Sequence, residues 1–184
     1  MRKFKETPSQ TAGPYVHIGC VPSFAGLADM YGGHDPGARM ITGAPDGTPV
    51  TLTLTVMDGA GDPVTDAMIE IWQPGPDGRF GPTEGFRHWG RQPTDAQSGT
   101  AVFETLMPGA PTGQAPHVLI WIVARGINLG LMTRLYFPGQ ENAADPVFRA
   151  AGTRAQTLLA TPAEGGFHHN IHLQGPDETV FFDA

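Results

Sequence analysis

Val50-Thr51-Leu52-Thr53-Leu54-Thr55-Val56-Met57 alternates an apolar residue with a threonine from Val50 to Val56. A period of two turns every second side chain to the same face, so this stretch predicts a strand with one buried and one wet face. Four further strands are expected downstream: 67–73 (AMIEIWQ), 99–106 (GTAVFETL), 117–125 (HVLIWIVAR) and 132–137 (MTRLYF), with two late ones at 170–173 and 179–182. In 67–73, Met68, Glu70 and Trp72 fall on one face and Ile69 and Ile71 on the other. Asp58-Gly59-Ala60-Gly61-Asp62-Pro63, the Gly/Pro loop over 74–85, Pro108-Gly109 and Pro138-Gly139 punctuate them. Residues 146–159 are the one plausible helix, with Val147, Phe148, Ala151 and Ala155 on a stripe and Asp145 as its cap. These short strands joined by turns predict an all-β fold, a two-sheet antiparallel β-sandwich with little helix.

Composition agrees. The 184 residues include 25 glycines and 18 prolines, too many for a helix bundle, and 40% of the chain is apolar, enough for a core. Residues 1–48 carry turn formers such as Gly13-Pro14, Gly32-Gly33 and Asp35-Pro36-Gly37 and show no helical period. They are expected to form an extended N-terminal arm that packs on a partner chain, with residues 49–184 as the core domain. A net charge of −7 disfavours nucleic acid and anionic membranes as partners. A single cysteine, Cys20, permits no internal disulfide and suits a reducing compartment. No apolar segment follows the basic start MRKFK, and the longest apolar run, VLIWIVA at 118–124, is far short of the ~20 residues of a membrane helix. A cytoplasmic location is the expectation.

Candidate chemistry is sparse. His117 enters the most apolar strand, but the position two residues on, where a second ligand would share its face, is Leu119. A buried, hydrogen-bonded histidine is the favoured reading there, since a metal needs three or more converging ligands. His168, His169 and His172 cluster without a nearby Cys, Asp or Glu, which favours surface or interface histidines. Cys20 has no adjacent base and is read as a packed thiol. No nucleophile-elbow or phosphate-loop motif is present. Arg125 ends a buried strand, where a cation must meet an anion or reach water, so an ion pair and a carboxylate-binding role are both open. Tyr15 on the arm hints at a contact surface.

Several blocks in order resemble the intradiol ring-cleaving dioxygenases: TPSQTAGPYVHIG at 7–19, IEIWQ at 69–73, DGRF at 77–80, APH at 115–117, ARGIN at 124–128, TRLYF at 133–137 and ETVFFD at 178–183. The resemblance implies a β-sandwich, a non-haem Fe(III) held by two Tyr and two His, and insertion of both atoms of O₂ into a catechol ring between its hydroxyl-bearing carbons. The chain departs from that ligand pattern. Leu119 stands where His-x-His would place its second histidine. Only Phe80 and Phe86 follow the Trp-Gln block, Ala110-Pro111 follows Pro108-Gly109, and the three tyrosines, Tyr15, Tyr31 and Tyr136, lie elsewhere. His117 alone of the four donors is retained. The resemblance therefore points to the α-type chain of the family, with no metal or catalytic residue of its own. Such a chain pairs with a homologous iron-binding β subunit, the αβ protomers building a larger oligomer, and completes its partner's substrate pocket. By the same resemblance Thr11, Pro14, Tyr15 and Arg125 line that pocket. The implied reaction converts protocatechuate and O₂ to 3-carboxy-cis,cis-muconate in the β-ketoadipate pathway of aromatic catabolism. Two other readings are a β-sandwich binding module with a different partner, and a lone metalloenzyme using His117 with the His168–His172 cluster.

Overall fold

The alternating threonine stretch folds as the first strand, β1 (Pro49–Met57), with Leu52, Leu54 and Val56 buried. It is described in a computed structural model that covers residues 10–183. The start of the arm, Thr7-Pro8-Ser9 included, lies outside the described residues.

The remaining strands are β2 (Met68–Trp72), β3 (Trp89–Pro93), β4 (Thr100–Leu106), β5 (His117–Val123), β6 (Leu131–Tyr136), β7 (Thr161–Ala163) and β8 (Gly166–His172). They make two four-stranded sheets, in the orders β4-β1-β8-β7 and β3-β2-β5-β6. Every pairing is antiparallel except β1 with β8, which run parallel with Thr51 opposite Gly166. The core is the packing of Leu52, Leu54, Val56 and Phe103 from one sheet with Ile69, Ile71, Ile120 and Ile122 from the other. A smaller cluster gathers Ala115, Tyr136 and Leu158, with Phe148 against it. Burial of these faces is what holds the sandwich.

Four local expectations are corrected. First, the arm is not wholly extended. A helix, α1 (Pro14–Cys20), and a 3₁₀ turn at Ala28–Tyr31 interrupt it. Pro14 sits at the first turn of α1, where its fixed φ favours the helix and its missing N–H costs nothing; seven residues are too few to show a period. Second, the helix expected over 146–159 breaks in two. Asp145 caps α2 (Pro146–Ala150), accepting from the amides of Val147 at 2.7 Å and Phe148 at 3.3 Å. At Gly152 the backbone turns left-handed, φ +60°, and continues as a 3₁₀ helix to Leu158. Third, the strand expected at 170–173 begins earlier, as β8, and 179–182 is no strand. Its Phe182 makes a single bridge to Met132. Fourth, β3 and the short β7 carried no strand signal. In β3, Gly90 gives up its side chain because a Cβ there would lie 2.7 Å from Sδ of Met40. Its outer neighbour Arg91 is polar because it pairs with Glu70 across the ladder. Residues 37–40 cover the free edge of β3, Gly37 accepting from the amide of Arg91 at 2.9 Å and Met40 from that of Arg87 at 2.7 Å.

Candidate substrate-facing site

Strand β5 ends at Val123 and delivers Ala124 and Arg125 to a turn at the end of the sheet. The arm is tied to this turn by one side chain. Thr11 Oγ1 donates to the carbonyl of Ala124 at 3.2 Å and accepts from the amide of Gly126 at 2.8 Å. The tether brings Gly13 and the first turn of α1 alongside Arg125. Pro14, His17 and Ile18 then line a cavity of about 280 Å³ together with Phe24, Asp66 and Arg125. Arg125 Nε lies 3.4 Å from Asp66 Oδ2, and its side chain is 82% exposed. A pair this wet contributes little to stability, so the guanidinium is free to serve a ligand.

Thr11, Pro14 and Arg125 are thus assembled on one surface. Tyr15 is not in the cavity. It projects from α1 with 86% of its surface in solvent. Exposed large apolar side chains continue beyond it, with Phe24, Leu27, Met30 and Tyr31 along the arm and Leu129 in the turn after Arg125. A pocket lined by both Tyr15 and Arg125 needs a second surface laid against this one.

The positions of the implied iron ligands form no such centre. Leu119 stands cross-strand from Trp72 and Arg134. Phe80 is exposed and Phe86 is packed in the core. His117 is buried, and its Nδ1 donates to the carbonyl of Ala115 at 2.8 Å. Burial holds its imidazole below the usual histidine range, with the nearby Arg134 cation acting the same way. Beside it Arg134 Nη1 donates to Gln114 Oε1 at 2.7 Å and to the Tyr136 hydroxyl at 3.3 Å, and lies 3.9 Å from the fully buried carboxylate of Asp145. Burial pushes the Tyr136 phenol up to about 12. A guanidinium, a protonated phenol and a leucine do not make a donor set for Fe(III), which takes anionic oxygen and neutral imidazole ligands. The residues present do not fit the ion.

The other histidine candidates are kept apart by the fold. His117 lies on β5 and the His168–His172 group on β8, in different sheets. His168 Nε2 is 3.3 Å from Thr55 Oγ1, and His169 Nδ1 donates to Leu159 O at 3.2 Å. Among the described residues no three His, Cys, Asp or Glu side chains converge. Cys20 is half-buried, and its carbonyl accepts from Arg91 Nη1 at 3.3 Å. Sequence reasoning missed His17, Asp66 and the Arg134 cluster. Glu70 did carry a signal, since a carboxylate inside an apolar strand needs a cation. Arg91 answers it with Nε and Nη2 at 2.8 and 2.6 Å from Oε1.

Comparison with known proteins places the chain as a whole. The model of a family described as "Dioxygenase" matches residues 21–172. The chain is 37% identical to the protocatechuate 3,4-dioxygenase alpha chain of Pseudomonas putida, over 97% of this chain and 96% of that one. It is 38% identical to the alpha chain of Burkholderia cepacia over the whole of both. The Burkholderia cepacia beta chain matches at 31%, over 83% of this chain and 79% of its own length. By a family match over most of the chain and relatives of this identity over nearly its whole length, the chain belongs to the intradiol ring-cleaving dioxygenase family.

Proposed function

We propose that the chain is the α-type subunit of a protocatechuate 3,4-dioxygenase, completing the substrate pocket of a homologous chain that holds the iron. The observation that carries this reading is a half-built site. Arg125 and Tyr15 stand exposed beside a tethered arm, while the ligand positions of the family hold a leucine, two phenylalanines and an alanine-proline pair. Alpha-chain relatives matched end to end, and a beta chain 31% identical to this one, support a pairing of two homologous subunits.

The roles of this chain's residues follow from their chemistry. Iron on the partner chain supplies the activation of the catechol toward O₂. Arg125 offers a guanidinium to the carboxylate of protocatechuate, against an otherwise acidic chain of net charge −7. Thr11 fixes the arm to the Arg125 turn, Pro14 shapes the cavity wall, and Tyr15 presents its ring and hydroxyl to the space between the chains. A cytoplasmic setting suits the lone thiol.

The test is purification of this chain alone and together with an iron-binding homologue bearing both Tyr and the His-x-His motif. Alone it is colourless; the pair is burgundy from phenolate-to-iron charge transfer and opens protocatechuate. In the pair, Arg125→Ala raises KM for protocatechuate at least tenfold, the loss of one charge-assisted contact. A stoichiometric ferric ion in the chain alone, or unchanged kinetics in Arg125→Ala, overturns the reading.

A further inference from the structure

We propose that Arg91 is a positioning residue for the substrate-facing surface: its guanidinium fastens the far end of α1 to the sheet and so fixes where Tyr15 stands. The inference rests on the reading of the site given above. It starts from how little packing holds α1 down. Of the seven residues of α1 only His17 is buried. Its ring stacks on Phe24, centroids 4.6 Å apart, a contact within the arm itself. On another side of the helix, Val16 and Cys20 line a cavity of about 420 Å³ together with Met68, Trp121 and Val123 of the sheet. A helix so lightly packed takes its orientation from directional contacts.

Polar ties from the sandwich flank α1 on both sides. Before the helix, Thr11 grips the Ala124–Gly126 turn. At its end, Arg91 Nη1 donates to the carbonyl of Cys20, the last residue of α1, at 3.3 Å. The last carbonyls of a helix have no partner inside it, and a cation is favoured there. Val21, next in the chain, is fully buried and seats the chain at this point. Apolar burial has no direction, so the orientation of the helix end falls to the hydrogen bond.

Arg91 is itself held firmly enough to set a direction. Its Nε and Nη2 lie 2.8 and 2.6 Å from Glu70 Oε1, and both side chains are mostly buried. Glu70 Oε2 accepts from Trp89 Nε1 at 3.2 Å, and the guanidinium lies over the Trp89 ring at 4.9 Å. The guanidinium is planar, so once two of its nitrogens are committed to Glu70 the direction of the third is fixed. Tyr15 is five residues before Cys20 on the same short helix, about 7.5 Å along its axis, so a shift of the helix end is passed on to it. A misplacement of ~1 Å at a positioning group costs up to about 100-fold in rate.

The experiment is a double-mutant cycle in the iron-containing pair. Arg91→Lys keeps a cation beside Glu70, so no buried carboxylate is stranded, and gives up the fork that reaches Cys20. KM for protocatechuate rises about tenfold, with kcat within about twofold. In a Tyr15→Ala background the same substitution changes KM by less than about twofold, because the side chain it would position is gone. If Arg91→Lys does not assemble, Glu70→Leu with Arg91→Leu, which removes both charges together, is read in the same cycle. An unchanged KM overturns the proposal. So do effects of Arg91 and Tyr15 that multiply, since a residue that merely stabilises the chain acts independently of Tyr15. Failure of both Arg91 variants to assemble overturns it too and assigns Arg91 to folding alone. If Arg125→Ala and Tyr15→Ala raise KM and Arg91→Lys does not, only the role of Arg91 falls; if none of the three does, the site reading falls with it.

Discussion

Removing the carboxylate of Asp145 tests how the cluster beside His117 is held. Asp145 is fully buried and serves three partners, the N-terminus of α2, the amide of Ala115 and the guanidinium of Arg134. Its Oδ1 caps α2 through the amides of Val147 and Phe148, and its Oδ2 accepts from the amide of Ala115 at 3.0 Å and faces Arg134 at 3.9 Å. In Asp145→Ala the lost cap costs about 1 kcal/mol. The buried amide of Ala115, left without an acceptor, costs a further 1–3 kcal/mol or so. Arg134 keeps Gln114 and Tyr136 as acceptors, so its share is small. The sum is roughly 2–4 kcal/mol, a fall in Tm of roughly 4–16 °C for a chain of this size. Urea and thermal unfolding followed by tryptophan fluorescence read it directly. Asp145→Asn keeps one acceptor oxygen, serving either the cap or Ala115, and loses about half as much. A cost under about 0.5 kcal/mol for Asp145→Ala, or an equal cost for both variants, refutes the assignment of the three partners.

Acidification supplies a second prediction. Burial lowers the folded-state pKa of His169 to about 4 from 6.5, so below pH 6.5 the unfolded chain binds a proton that the folded chain refuses. The contribution is fully present above pH 6.5 and is lost as pH falls toward 4, to the extent of about 3 kcal/mol. His117 is shifted in the same direction, also by burial. His169→Leu therefore flattens most, not all, of the pH dependence of the urea midpoint between pH 4 and 6.5; a profile parallel to the unsubstituted chain's is the contrary result. A third concerns the metal. Leu119→His restores the His-x-His spacing but adds no phenolate, and Arg134 stands across the strand from it. The purified variant stays without the visible ferric band, and a burgundy Leu119→His chain contradicts the account of the donor set.

How much was readable beforehand depended on the range of the forces involved. The alternation in β1 and the apolar run of β5 reflect a strand's own two faces, so they are written locally, and five strands and the sandwich followed from them. Strand β3 was hidden because its residues answer distant neighbours. Gly90 yields space to Met40, and Arg91 exists for Glu70, a residue 21 positions away. The break at Gly152 lies at a left-handed turn, φ +60°, that the helical stripe over 146–159 does not mark.

The candidate site divides the same way. Residue identity, read through the family resemblance, placed hydrocarbon side chains at the expected ligand positions other than His117, and such side chains have no lone pairs in any conformation. It also pointed, through the signature blocks, to Thr11, Pro14, Tyr15 and Arg125. Only the folded chain decided which of these meet. Thr11 reaches 113 residues along the sequence to hold Ala124, Pro14 joins Arg125 at a cavity, and Tyr15 turns out to water. It also decided that His17 is buried, its ring stacked on Phe24. Hydrogen bonds and burial between segments far apart in the chain depend on their relative placement, and no local pattern encodes that.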